Sequence, residues 1–126
     1  MKTIDLSFHP IMSELILSGK KICTTRYHQK GEVGDLFWVG DHLYRIVAVY
    51  EQVLSQVADG LFLFEGFPDR SEFCTFWKAV HDNRWDPDAS VFTHFFAYIG
   101  HYCRWDATPE SYHPLVFRRE CDDQHP

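Results

Sequence analysis

The chain is 126 residues long, 45% apolar and 17% aromatic, with a formal net charge of −6. At this length one domain with a single core is expected, and the apolar and aromatic content excludes a disordered chain. The acidic balance argues against a protein that wraps duplex DNA by neutralising its phosphates.

In TIDLSF (3–8), Ile4, Leu6 and Phe8 share one face at the period-two spacing of a strand. Pro10 stands where a helix can begin without losing a needed N–H. Ile11, Met12, Leu15 and Ile16 give that short helix an apolar face, and Gly19 supplies its left-handed end. Lys20 and Lys21 lie on the connection. ICTTR (22–26) reads as a strand with Ile22, Thr24 and Arg26 on one face and Cys23 and Thr25 on the other. HQKGEVG (28–34) is a polar loop. Two strands then meet at Gly40-Asp41, a tight hairpin turn, and the second of them, about 43–50, has the Val/Ile/Tyr content of a central strand.

Residues 53–64 are apolar and fit either a helical turn or a strand. Asp69 and Glu72 have capping-box spacing ahead of a helix over about 70–82. Its apolar stripe, Phe73, Phe76, Trp77 and Val80, is expected in the core. A loop (82–90) leads to a long aromatic strand over 91–102. The domain is expected to span 1–103. Residues 104–126, with Pro109, Pro114 and the closing CDDQHP, are expected to form an extension, partly packed through Leu115, Val116 and Phe117 and frayed at its end. Strands and helices do not alternate regularly, which disfavours a doubly wound parallel sheet. The expected fold is α+β, a small mixed β-barrel flanked by two main helices.

No apolar run approaches the roughly 20 residues that span a bilayer, and MKTIDLSFHP has no signal-peptide core. A cytoplasmic protein with no membrane association is therefore expected. The four cysteines (Cys23, Cys74, Cys103, Cys121) form no CxxC pair and are expected as reduced thiols. The eight histidines are scattered, and no metal or other cofactor is expected. Charge is unevenly spread: residues 1–45 carry six lysines and arginines against five acids, and residues 46–126 carry six against thirteen. Lys20, Lys21, Arg26 and Lys30 form a local basic group suited to a small anionic or polar ligand or a short single strand, or simply a solvated turn.

Lys21, Thr24 and Arg26 are the first candidates for chemistry. A threonine hydroxyl becomes a nucleophile when a base lies within about 3 Å, and a lysine amine serves as that base where burial or a neighbouring cation lowers its pKa. Arg26 would be that cation and could also grip an oxygen with its forked guanidinium. The alternative is a solvated Lys21, a Thr24 chosen for strand propensity, and an Arg26 paired with an acid such as Asp35. Glu65, in FEGF, is the second candidate. Buried, it needs a partner such as Lys21 or Arg26; exposed, it is only an acid near a helix N-terminus. GxSxG, GxxxxGK[ST] and GxGxxG are all absent. Trp38, Tyr44, Trp77, Trp85 and Trp105 could stack a base, although aromatics at this density mostly fill cores.

Taken together, LILSGKKICTTR, GEVGD and EGFPDRSEF resemble the ASCH domain family of the PUA-like superfamily, over roughly residues 6–101. The resemblance implies a small β-barrel whose cleft takes RNA or nucleoside ligands. It also implies, from a bacterial branch of similar size, an amidohydrolase that removes the acetyl group of N(4)-acetylcytidine. The lysine, threonine and glutamate proposed as catalytic there match Lys21, Thr24 and Glu65, and the arginine ending the motif matches Arg26. The resulting expectation is a metal-independent hydrolase in which Lys21 activates Thr24, Glu65 relays the proton, and Arg26 and Lys20 bind substrate. Ile22 stands where a threonine often follows the lysine. A binding module for RNA or a modified nucleoside, and a single-strand ribonuclease, are the alternatives.

Overall fold

A computed structural model of the chain describes residues 2–103. The extension expected over 104–126 lies outside them. Three helices, α1 (Pro10–Leu17), α2 (Leu54–Gly60) and α3 (Arg70–Val80), accompany four strands, β1 (Cys23–Arg26), β2 (Leu36–Val39), β3 (His42–Val53) and β4 (Ser90–His101). The strands form one antiparallel sheet in the order β1-β4-β3-β2. β3 and β4 run together from His42↔His101 to Val53↔Ser90, with register shifts at Leu43/Tyr44 and Ile46/Ala48. Such irregularities raise local twist, and the sheet curls into a half-barrel.

Alternation along the strands sends side chains to two larger cores and to a smaller cluster of Leu36, Leu43 and Tyr102. Phe37, Tyr44, Ile46 and Phe96 pack with Leu6 and Ile16, the Phe37 ring lying 5.6 Å from Tyr44 and 5.2 Å from Phe96. Val91 joins Leu54, Val57 and Ala58 of α2, Phe73 and Trp77 of α3, Phe67 and Met12 in the second. The apolar segment that fitted either state is thus helical: Leu54, Val57 and Ala58 bury at i, i+3 and i+4, a spacing that only a helix brings to one face. It is a third helix beside the two expected.

Other boundaries follow local chemistry. Pro10 opens α1, and Gly19 leaves it at φ +81°. The Asp69 carboxylate caps α3 by accepting the Glu72 N–H at 2.8 Å. Asp82 and Asn83, both at positive φ, take the chain out of that helix at Val80, two residues sooner than expected. Residues 3–8 hold no strand. They form one parallel bridge, Thr3↔Leu36, made by Ile4 N–H to Leu36 O and Leu36 N–H to Lys2 O. The alternation there buries Leu6 without a ladder, and the mixed character of the barrel comes to this single bridge. Cys23, Cys74 and Cys103 are free thiols, and no helix of the described residues is long and apolar enough to cross a membrane.

Candidate active site

The segment between α2 and α3 is wound tightly by three backbone bonds: Glu65 N–H to Leu61 O, Gly66 N–H to Leu63 O and Phe67 N–H to Phe62 O, each 3.0 Å. Gly66 sits at φ +100°, a conformation that disfavours any other residue. This winding turns Leu63 and Phe64 outward and Glu65 inward, where it is 3% exposed. The Ile22 N–H bonds Phe64 O at 2.9 Å, tying the turn to the start of β1. Lys21 and Glu65 therefore flank one backbone hydrogen bond. The Lys21 ammonium, on a residue equally buried, donates to Glu65 Oε1 at 2.7 Å and to the Glu65 carbonyl at 3.3 Å.

The other carboxylate oxygen, Oε2, accepts the Thr25 hydroxyl at 2.5 Å and the Cys23 thiol at 3.7 Å. Burial and then the Glu65 charge push the Cys23 thiol far above its ordinary pKa, so it remains a donor. Thr25 Oγ1 also meets Thr93 Oγ1 across the β1–β4 pair at 2.9 Å, and Gln52 Nε2 of β3 donates to Thr93 at 3.0 Å.

Thr24 has different company. Its hydroxyl oxygen accepts from Arg26 Nε at 3.3 Å, while Arg26 Nη2 donates to Ser7 O at 2.8 Å and the guanidinium lies 5.2 Å over the Phe8 ring. Burial lowers the Arg26 pKa from its ordinary value, opposed by the charge of Glu65. On the neighbouring strand, opposite Thr24, buried His94 is neutral. Its Nδ1–H donates to the Thr24 carbonyl at 3.2 Å, and its Nε2 accepts the Lys30 N–H at 2.9 Å.

Lys21, Thr24, Thr25, Arg26 and Glu65 border one cavity of about 340 Å³. Its apolar walls are Phe8, Met12, Phe67, Phe73, Phe76, Trp77 and Val80. His81 stacks on Trp77 with centroids 4.1 Å apart. The α3 stripe expected in the core thus serves two ends: Phe73 and Trp77 are buried, and the whole stripe also faces the cavity.

Of the residues singled out from sequence, Lys21, Thr24, Arg26 and Glu65 come together here. Lys20 does not. It is exposed and borders a separate groove with Ile22, Leu63 and Phe64, because the chain leaving α1 turns successive side chains apart. Arg26 is not paired with Asp35; its donors go to Ser7 and Thr24. Lys21 was expected as the base beside Thr24. It lies instead with Cys23 and Thr25, the residues two and four positions on, as strand alternation requires, and the hydroxyl on the Lys21–Glu65 pair is that of Thr25. Sequence reasoning missed Thr25, whose parity with Lys21 was the available signal. It also missed Thr93 and Gln52, which depend on a strand register that composition does not reveal. Among the described residues no group of three or more His, Cys, Asp or Glu could hold a metal ion.

No protein-family model and no curated protein matches the chain. Solved structures do. The ASCH domain from Lactobacillus crispatus superposes with a TM-score of 0.55 at 23% identity, over 77% of this chain and 79% of that one. A protein from Enterococcus faecalis gives 0.55 at 18% identity, over 80% of each chain. ASCH from Zymomonas mobilis gives 0.52 at 11% identity, over 76% of this chain and 66% of that one. The half-barrel with its three helices is the ASCH-domain fold.

Proposed function

We propose that this chain is a metal-independent amidohydrolase that removes the acyl group from N(4)-acetylcytidine or a related acylated nucleoside. The observation that carries the reading is the buried Lys21–Glu65 pair opening, beside Thr24 and Arg26, on the 340 Å³ cavity. Small-molecule sites have this size and this mixture of apolar wall and a few polar groups. Thr25 has its O–H on Glu65 and its oxygen engaged by Thr93, whereas Thr24 accepts from Arg26 and donates its own proton to no group among the described residues. Thr24 is therefore the hydroxyl available to substrate.

In this mechanism Lys21 passes a proton to Glu65 Oε1 and becomes an amine. The amine takes the Thr24 proton as Oγ1 attacks the acyl carbon, and Arg26 steadies the oxyanion. Lys21 then gives that proton to the departing cytosine N4, leaving the acyl group on Thr24. Water, deprotonated by the same amine, attacks the ester. Collapse expels Thr24, which recovers its proton from Lys21; the carboxylic acid leaves, and Glu65 returns its proton to Lys21. Lys21 now hydrogen-bonds Glu65, so its approach to Thr24 belongs to the substrate complex, where catalytic contacts tighten. The aromatic wall of α3 would hold the base, by stacking worth about 1–3 kcal/mol per base.

The test is cytidine release from N(4)-acetylcytidine by EDTA-treated protein, followed by chromatography. Release is expected from the wild type, with Lys21→Ala and Thr24→Ala each lowering kcat about 10²- to 10⁴-fold. Saturable binding without release would replace the enzyme with a binding module. Cleavage of a single-stranded oligonucleotide, lost in Lys21→Ala, would replace it with a ribonuclease.

A further inference from the structure

Hydrogen-bond direction around Glu65 can be assigned from the groups themselves. The Gln52 amide nitrogen only donates, so Thr93 Oγ1 accepts from it. At the other end, a carboxylate paired with Lys21 at 2.7 Å only accepts, so Thr25 spends its proton on Oε2. Between them the Thr93–Thr25 contact at 2.9 Å has one direction left: Thr93 donates to Thr25. Every link from Gln52 to Thr93 to Thr25 to Glu65 therefore points the same way, and the chain ends on the oxygen that Lys21 does not use.

We infer that Thr25, Thr93 and Gln52 are positioning residues for the Lys21–Glu65 pair, holding the carboxylate so that Oε1 is presented to the lysine. Three features carry this. Thr93 is wholly buried and has no wet alternative, and Thr25, though it borders the cavity, is only 6% exposed. The partners come from three adjacent strands, and the Thr25↔Thr93 register fixes them opposite one another. A carboxylate on a short turn has free side-chain torsions, and two anchored oxygens remove them. The chain delivers donors and takes no proton from Lys21, so it acts on geometry and not as a proton path. The inference rests on the amidohydrolase reading for its kinetic consequence only.

The experiment compares Thr25→Val, Thr25→Ser and Gln52→Leu with the wild type by two readouts. The first is turnover of N(4)-acetylcytidine. Thr25→Val is expected to lower kcat about 10- to 100-fold with KM unchanged, Thr25→Ser to recover most of that loss, and Gln52→Leu, at the far end and not touching Glu65, to lower kcat less. The second needs no activity: acylation of Lys21 by acetic anhydride in the folded protein, followed by peptide mass spectrometry. It should run several-fold faster in Thr25→Val and close to the wild-type rate in Thr25→Ser. If Thr25→Val does not fold, the Gln52→Leu and Thr25→Ser pair decides by the same two measurements. Unchanged Lys21 acylation in the hydroxyl-deleted protein overturns the inference, whatever kcat does, as does a Thr25→Ser variant no better than Thr25→Val. A wild type that releases no cytidine while Lys21 acylation still responds to Thr25→Val overturns the amidohydrolase reading and supports the positioning chain.

Discussion

Replacing Lys21 by methionine takes the ammonium from Glu65 while keeping a similar apolar stem in place. The carboxylate, on a residue 3% exposed, then retains only the Thr25 hydroxyl and the Cys23 thiol as side-chain donors. Removing one partner of a buried ion pair costs about 3–5 kcal/mol, because the remaining charge is left uncompensated. Against a total stability of about 5–15 kcal/mol, that is a loss of roughly 10–20 °C in Tm for a domain of this size. Glu65→Leu should fall at the lower end of the range, since the Lys21 ammonium keeps the residue-65 carbonyl as an acceptor at 3.3 Å. The double variant, Lys21→Met with Glu65→Leu, removes both charges. Thr25 still accepts from Thr93 and borders the cavity, where water can take its own proton, and the net cost should be about 2 kcal/mol or less, as for other buried pairs replaced by apolar side chains. Urea denaturation of the four proteins closes the cycle, with an expected coupling of about 4 kcal/mol or more. A double variant as unstable as the sum of the single ones would refute the view that these two groups compensate each other in the fold.

Two further perturbations read neighbouring parts of the same construction. A methyl group at Gly66 would sit 3.0 Å from Leu15 Cδ1 and 3.3 Å from Lys21 Cβ at a φ of +100°, so Gly66→Ala should cost about 1–3 kcal/mol and lower turnover by displacing the lysine stem; wild-type Tm and kcat would show that the turn is not what aims Glu65. His94 is pushed below the ordinary histidine pKa, chiefly by burial, with its bond to the Thr24 carbonyl opposing. In the unfolded chain it protonates near pH 6.5, in the folded protein only below that. The stability it contributes is therefore complete above about pH 6.5 and is lost as the pH falls through the folded-state value. Tm should decline between pH 7.5 and 5, less steeply in His94→Gln, and an equal decline in both would assign the effect to other groups.

How much of this was legible in the sequence depended on the range of the interaction that decides each feature. The α1 and α3 starts rest on Pro10 and on Asp69 with Glu72, contacts within a few residues, and they lie where the sequence puts them. The segment after β3 was ambiguous because Leu54, Val57 and Ala58 become a helical face only through packing on α3 and Val91, which no local signal contains. Residues 3–8 show the converse. Their alternation is real and buries Leu6, but a ladder needs a neighbour, and β2 is four residues long and offers them a single bridge.

The site shows the same division within a single motif. In KICTTR the identities of Lys21, Thr24 and Arg26 suggested one group, yet alternation places Lys21 with Cys23 and Thr25, and all three donate to Glu65. Adjacent threonines thereby separate into two tasks: one hydroxyl is bound to the buried acid, and the next lies beside Arg26 at the cavity. Neither assignment follows from threonine chemistry. It follows from Phe64 O meeting Ile22 N–H, which brings an acid from 44 residues along the chain onto one face of β1 and not the other.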